Sequence, residues 1–219
     1  MEINKILELF SNKIKLEEVD LESKASYKVG PIKVHFRKFK VDEHTYLSIL
    51  EGKGMLGLIK LNTVIFSSAS KNMPLFSYDM MHMMGKKYYL YEVYDTLVDE
   101  KKDYSEYISK CKDIKEIPNY VTTPSEMDKY LLPCSVRKLA RNKSDLSLLE
   151  EQTSRYFDLI INEYLSSNDA DVEKKIQINQ DYVTGLLNHG GASTNLFIKK
   201  LGKKTTTDIY EHILFNTKD

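Results

Sequence analysis

The sequence contains little cysteine, and its two cysteines stand apart from each other. Cys111 and Cys134 form no CxxC pair, which excludes a cysteine-held iron–sulfur cluster or structural zinc site. A chain of 219 residues can bury most of its apolar surface without a disulfide, so we interpret both cysteines as free thiols. The histidines show no metal-ligand spacing. We therefore expect no metal and no permanently bound cofactor, and electrons for any redox reaction would come from another molecule.

An excess of one charge is also missing, and so are long apolar runs. Lys plus Arg and Asp plus Glu number 32 each, whereas a nucleic-acid-binding domain needs a basic excess. No apolar run approaches the length of about 20 residues that spans a bilayer. The start, MEINKILELF, lacks the features of a signal peptide, and no GxGxxG, P-loop or GxSxG motif occurs. We expect a soluble, cytoplasmic monomer with neither a nucleic acid nor a membrane as partner.

The spacing of apolar residues changes from helical to strand-like and back along the chain. Residues 2–17 have helical spacing, residues 26–96 contain five alternating segments with short links, and helical spacing returns after residue 96. We expect Gly85 in a tight hairpin turn, Ser144 as the N-cap of a long helix, and a helix end at Gly190. The order predicts one domain over residues 1–219, an α/β three-layer α-β-α sandwich with a central, mostly antiparallel sheet flanked by helices.

One carboxylate interrupts an apolar strand in this predicted sheet. In PLFSYDMMHMM, alternation places Asp79 and His82 on opposite faces, and neither face is polar enough to be exposed. If Gly85 and Lys86 form the hairpin turn, Asp79 lies opposite Glu92, and one of the two carboxyls would hold a proton near neutral pH. That arrangement makes a proton donor. A structural role, in which Asp79 pairs with Arg37 or a backbone amide, explains the spacing equally well.

Three segments resemble the ferredoxin-dependent bilin reductases. MPLFSYD at residues 73–79 is similar to the LPxFxxD segment of that family, and FRK at residues 36–38 is similar to the FRK of its phycocyanobilin-forming members. The ending STNLFIKKLGKKTTTDIYEHILF at residues 193–215 resembles the closing helix pair of the family. The three segments occur in the family order, and the resemblance covers roughly residues 30–215.

The resemblance implies a fold and a reaction. Members of the family reduce linear tetrapyrroles such as biliverdin in a pocket between an antiparallel sheet and the C-terminal helices. Ferredoxin supplies single electrons, and acids of the protein supply protons. By this resemblance Asp79 is the central proton donor, and Asn62 falls where the phycocyanobilin-forming enzymes have a catalytic His, so that we expect it to orient the ligand. Asp42 or Glu43 would be a secondary acid.

The expected ligand contacts depart from the family pattern. At residues 188–194, NHGGAST replaces Lys, Arg and Asp that often hold the propionates. Either Arg37, Lys38 or Lys60 holds them here, or the ligand differs; His189, Ser193 and Asn195 would contact it from the helical side. The lysines of residues 199–204 could dock an acidic ferredoxin. The sequence thus leaves three functions open: a ferredoxin-dependent bilin reductase, a non-catalytic binding protein for a tetrapyrrole or other flat ligand, and a structural or interaction domain.

Overall fold

An antiparallel sheet of eight strands runs through the part of the chain that the computed structural model describes, which is residues 2–99, 101–122 and 124–218. The spatial order is β1-β3-β4-β5-β6-β7-β8, with β2 also paired to β3. The strands are β1 (Glu17–Val19), β2 (Ser26–Val29), β3 (Ile32–Asp42), β4 (Thr45–Gly54), β5 (Ile59–Ser68), β6 (Leu75–Met83), β7 (Lys86–Tyr94) and β8 (Val136–Ala140). The predicted five-strand meander corresponds to β3–β7. The short strands β1, β2 and β8 were not predicted, because three to five residues show too little alternation.

Helices precede and follow the meander, as the spacing predicts. They are α1 (Ile3–Ser11), α2 (Ser105–Lys110), α3 (Lys143–Ser166), α4 (Val172–His189), α5 (Ala192–Leu201) and α6 (Lys203–Asp208), which continues into a π-helical segment, Ile209–Leu214. The N-cap of α3 is Asn142, not Ser144, because the Asn142 side chain accepts a hydrogen bond from the backbone N–H of Asp145. Helix α4 ends at Gly190 as expected. Within the described ranges, no helix has both the length and the apolar character that crossing a membrane requires.

Two separate cores confirm the three-layer sandwich. Helices α1 and α3 pack on one face of the sheet, where Phe10 and Phe157 meet Phe66, Tyr78 and other strand side chains. Helices α4 and α5 and the π-helical segment pack on the opposite face. We call these the α1/α3 face and the C-terminal face. Because both faces are buried, the strands are apolar on both sides rather than alternating between apolar and polar.

The β6–β7 hairpin has a different register from the predicted one. Met84 and Gly85 form its two-residue turn, with φ angles of 51° and 82°. Positive φ at both central residues is the geometry of a type I′ turn, in which glycine takes the second position. Asp79 therefore lies opposite Leu90, and Glu92 lies opposite Ser77. The expected direct pairing of Asp79 with Glu92 is wrong, but both side chains point to the C-terminal face from diagonal positions, where they still interact.

Candidate functional site

Asp79 lies on the C-terminal face near the centre of the sheet. Thr63 is directly opposite it on β5 and donates its hydroxyl to Asp79 Oδ1. Burial raises the pKa of Asp79 to about 7, and the negative charge of Glu92 adds to the effect, while hydrogen bonds from Thr63 and Ser77 oppose it. The side chain is surrounded by protein yet keeps part of its surface accessible. A carboxyl with a pKa raised to about 7 can both give and take up a proton near neutral pH.

A buried ion pair fixes the negative charge beside Asp79. Glu92 is only 5 % exposed, and Arg137 on β8 donates from Nε to its Oε1 at 2.6 Å. Tyr94 donates its hydroxyl to the other oxygen at 2.8 Å. Arg137 also donates to Thr122 Oγ1 at 2.6 Å, which holds the guanidinium in place. Sequence reasoning missed Arg137, since β8 is too short to be seen in the periodicity and no motif marks it.

Two tyrosines from the C-terminal helices face this part of the sheet. Tyr210 donates its hydroxyl to Thr194 Oγ1 at 3.1 Å, and burial raises its pKa to about 12, with a contribution from the charge of Asp79. Burial also raises the pKa of Tyr182, to which Glu92 and Asp79 contribute, and its ring lies 4.9 Å from that of Tyr94. Both phenols are thus within electrostatic reach of Asp79. Neither tyrosine could be singled out from the sequence, because aromatic residues at helical spacing are common in any core.

Between the sheet and the C-terminal helices, the exposure of side chains increases toward one end of the strands. Leu75 and Ile65 are fully covered, whereas Leu61, Asp79 and Met81 on the same face keep partial exposure. Opposite them, Leu186 on α4 and Leu196 on α5 are also partly exposed and pack against this core. We call the region between these partly exposed side chains the Asp79 cleft. Its walls are apolar and its inner end carries a carboxyl that can hold a proton, which suits a flat apolar ligand that reacts with protons.

Three expected site residues lie on the α1/α3 face, away from Asp79. Asn62 is opposite Met80, which packs against the α1/α3 core. Lys60 is opposite His82, and both line a separate cavity of about 440 Å³. Arg37 lies beside Phe39 and pairs with Glu18 at 2.7 Å. The expectation that these three residues share a site with Asp79 is wrong, because the strand register places their side chains on the opposite face of the sheet; neighbouring residues of a strand point to opposite faces. The alternative pairing of Asp79 with Arg37 is wrong for the same reason.

Asp42 lies at the opposite end of the sheet from the cleft. It pairs with Thr45 on β4, five residues from the Leu50 that faces Thr63, which corresponds to about 17 Å. Burial opposes the charge of Asp42, but hydrogen bonds from Ser70, the His44 amide and Tyr164 outweigh it and lower its pKa. An acid held in its ionised form, at this distance, is not placed to donate a proton in the cleft. Its neighbour in the sequence, Glu43, is exposed in the β3–β4 turn.

The other expected contacts lie at the rim of the helical layer or in its interior. His189 ends α4 with half of its side chain exposed, 3.5 Å from Glu126. Ser193 and Asn195 are exposed on α5, while the intervening Thr194 points inward to Tyr210. Lys38 is buried and donates to His212 O at 2.7 Å and to Asn216. Thr194 is therefore the residue of NHGGAST that the structure brings nearest to the polar groups of the cleft.

Among the described residues, no three or more His, Cys, Asp or Glu side chains lie close enough together to hold a metal ion. Cys111 and Cys134 are both free thiols. Burial raises the pKa of Cys134 to about 12 and also raises that of Cys111. Neither thiol is therefore a ready nucleophile at neutral pH.

Comparisons with known proteins reveal a likeness in fold. No protein-family model and no curated protein sequence matches the chain. Among solved structures, it is similar to the selenomethionine form of phytochromobilin synthase from tomato in complex with biliverdin, with a TM-score of 0.79 and 14 % identity. The match covers 98 % of this chain and 82 % of that one. At this level of identity, the comparison shows that the two chains share an architecture across nearly all of the present sequence.

Proposed function

We propose that this chain is an oxidoreductase that binds a linear tetrapyrrole such as biliverdin in the Asp79 cleft and reduces it. The observation that carries the proposal is Asp79 itself, a carboxyl with a pKa of about 7 on the sheet face that the C-terminal helices cover. A fold similar to that of a protein crystallised with biliverdin supports the choice of ligand. A general acid works best when its pKa lies near the working pH, which is the condition that Asp79 meets.

The proposed chemistry divides the reaction between Asp79 and an external reductant. Reduction of one double bond takes up two electrons and two protons. The electrons arrive singly from reduced ferredoxin. Asp79 delivers one proton to the tetrapyrrole, is reprotonated from solvent through the open end of the cleft, and then delivers the second proton. Burial keeps the pKa of Asp79 high, the charge of Glu92 adds to the effect, and Arg137 holds Glu92 in place. Tyr210 and Thr194 form the facing wall and orient the ligand.

The acidic side chains of the ligand have a different environment from the one expected. Because Arg37 and Lys60 lie on the other face, we place the propionates at the mouth of the cleft, where His189, Ser193 and Asn195 are exposed. Carboxylates there keep most of their water and need no buried cation. Exposed serine and asparagine side chains can donate hydrogen bonds to them.

An absorbance titration with biliverdin followed by reduced ferredoxin under anaerobic conditions tests the proposal. We expect a shifted spectrum on binding and its conversion to a product spectrum on reduction. Asp79→Asn should still bind but lose turnover or stop at a partly reduced species, because Asn cannot deliver the proton. Asp169→Asn is the matched control, since Asp169 is an exposed partner of Lys71 at the other end of the sheet. Equal turnover by Asp79→Asn and the wild type would refute the assignment.

A second candidate function is binding without turnover. It is favoured by one observation, namely that Arg137, which lies two strands from Asp79, is already paired with Glu92. The charge of Arg137 is thus already used within the protein, and a less acidic flat ligand would fit the apolar walls of the cleft. In that case the bound biliverdin spectrum, if it forms, survives reduction, and Asp79→Asn leaves affinity and spectrum nearly unchanged.

A further inference from the structure

A row of basic residues crosses six strands on the α1/α3 face. Each member lies directly opposite the next in the pairing register, and the row spans about 24 Å at the usual strand spacing. Like charges placed directly opposite each other destabilise a sheet, so local stability does not explain the row. Its members are Lys28, Lys33, Lys53, Lys60, His82 and Lys87, of which the first four are exposed.

The turns next to this row carry exposed apolar side chains. In the β4–β5 connection, Leu56 is fully exposed and Leu58 is 58 % exposed, and in the β6–β7 turn Met84 is 82 % exposed. The backbone φ angles of Leu56 and Met84 are 55° and 51°, a region where glycine or asparagine is normally preferred. These turns thus hold large apolar residues at positions that favour small or polar ones. Both turns lie at the same end of the antiparallel meander.

Acidic residues are scarce at this end of the sheet. Residues 52–91 contain one acid, Asp79, which lies on the other face, although the whole chain carries 32 acids in 219 residues. Four lysines of the same segment, Lys53, Lys60, Lys86 and Lys87, lie at this end, whereas Lys71 lies at the other end beside Asp169. A protein with zero net charge therefore concentrates positive charge around two apolar turns. We call this region, made of the basic row and the two turns, the basic end.

The basic row leads into the cavity of about 440 Å³ described above. Lys60, His82 and Lys87 line the cavity together with Lys5, and Met80 and Tyr89 supply apolar surface. Glu2 and Glu150 lie at its helical side. Cationic groups around a partly apolar recess suit an anionic head group with a hydrocarbon portion.

We infer that the basic end docks the protein onto an anionic phospholipid membrane. Leu56 and Met84 enter the interfacial layer from two neighbouring turns, which are joined by the hydrogen bond that Met84 N–H donates to Leu58 O at 3.3 Å. The lysines behind them contact head-group phosphates, one of which the cavity can take. The exposed apolar side chains lie on the turns and the lysines lie on the strands behind them. This order places the apolar groups deeper in the membrane than the cations, which stay at the level of the phosphates. This attachment is peripheral and involves no spanning segment, and it does not depend on the proposed function.

Vesicle flotation with the complete, ligand-free protein tests this inference. We expect binding to phosphatidylcholine vesicles that contain phosphatidylserine, little binding to pure phosphatidylcholine, and release in high salt because salt screens the lysines. A wild-type protein that binds neither vesicle, or binds both equally, would overturn the inference. Retention on an acidic protein matrix without vesicle binding would assign the basic end to a protein partner instead.

Two sets of variants locate the contact. Each lysine at an anionic surface contributes roughly a fivefold change in partitioning, so Lys53→Gln/Lys60→Gln/Lys87→Gln should weaken binding about a hundredfold. Leu56→Ser/Met84→Ser should weaken it at least about tenfold through the loss of apolar insertion. All these side chains lie at or near the surface, and circular dichroism verifies the fold. The matched control replaces three exposed lysines at the opposite end, Lys13→Gln/Lys15→Gln/Lys174→Gln, and should bind like the wild type. An equal loss in the control set would refute the location.

Discussion

Replacing Asp79 by asparagine should stabilise the protein while abolishing the proposed proton transfer. The pKa of Asp79 is about 7 in the folded chain, above its ordinary value of 3.8, so the folded state binds this proton more tightly than the unfolded state. Stability contributed by the protonated form is complete below about pH 4 and is lost as the pH rises toward 7. Above pH 7 the folded protein carries the full cost of a buried, ionised carboxylate. Asparagine keeps the shape, accepts the Thr63 hydrogen bond and never ionises.

The size of the effect follows from the difference between the two pKa values. Each pH unit of that difference corresponds to about 1.4 kcal/mol, which gives roughly 4 kcal/mol at alkaline pH. Because Asp79 keeps some contact with solvent, we expect about 3 kcal/mol at about pH 8 and less than half of that at about pH 5. Urea denaturation followed by circular dichroism at both pH values measures the free energy of unfolding for wild type and variant.

The control for this prediction is Asp169→Asn. Asp169 is 86 % exposed and pairs with Lys71, so its replacement should change stability by less than about 1 kcal/mol at either pH. A gain for Asp79→Asn that is the same at both pH values would show that packing, rather than ionisation, is responsible. A loss of stability at about pH 8 would contradict the raised pKa and, with it, the role of Asp79 as a donor near neutral pH.

Three further substitutions test the charges around and beyond the cleft. Arg137→Met should lower the free energy of unfolding in urea by about 3 kcal/mol because it leaves Glu92 buried without this partner. Lys13→Met removes one partner of the exposed pair Lys13–Asp158 and should cost less. Glu92→Gln should lower the pKa of Asp79 by removing the neighbouring negative charge, and an NMR titration of the Asp79 carboxyl carbon would measure this change. An unchanged pKa would exclude a contribution from the Glu92 charge. Burial lowers the pKa of Lys175 to about 7, so between about pH 7 and 9 the unfolded state keeps a proton that the folded state has lost, and wild-type stability should rise with pH. Lys175→Met should remove this pH dependence of the melting temperature. If the dependence persists in the variant, another group causes it.

The sequence predicted the meander well, because its strands alternate clearly and the links are short. Gly85 marked the β6–β7 turn, but its place within the turn decides the register, and the type I′ preference for glycine at the second position points to Met84–Gly85. β8 was beyond reach, since its five residues follow a long irregular segment after β7. A short strand of this kind forms because it pairs with β7, and its own sequence pattern does not predict it.

The candidate site was predictable only in part. Asp79 could be found because a carboxylate in an apolar strand is unusual. The face of Asn62 and Lys60 could not be fixed, because β5 is covered on both sides and its alternation carries no polar-out signal. Arg137 joins the site through strand pairing, and Tyr210 through a π-helical segment. Both depend on contacts between residues distant in the chain.

The position of Arg137 on β8 has a consequence for folding. Strands β3–β7 pair with sequence neighbours, whereas β8 returns to β7 after an excursion in which Arg137 meets Leu90, 47 residues away. Local hairpins close sooner than such a long loop, so a sheet that lacks β8 would form first, with Glu92 unpaired. The Arg137–Glu92 ion pair beside the cleft would then form only in the last step of folding. Pulse-labelling hydrogen exchange should show β8 amides protected after those of β4–β6, and simultaneous protection would rule out this order.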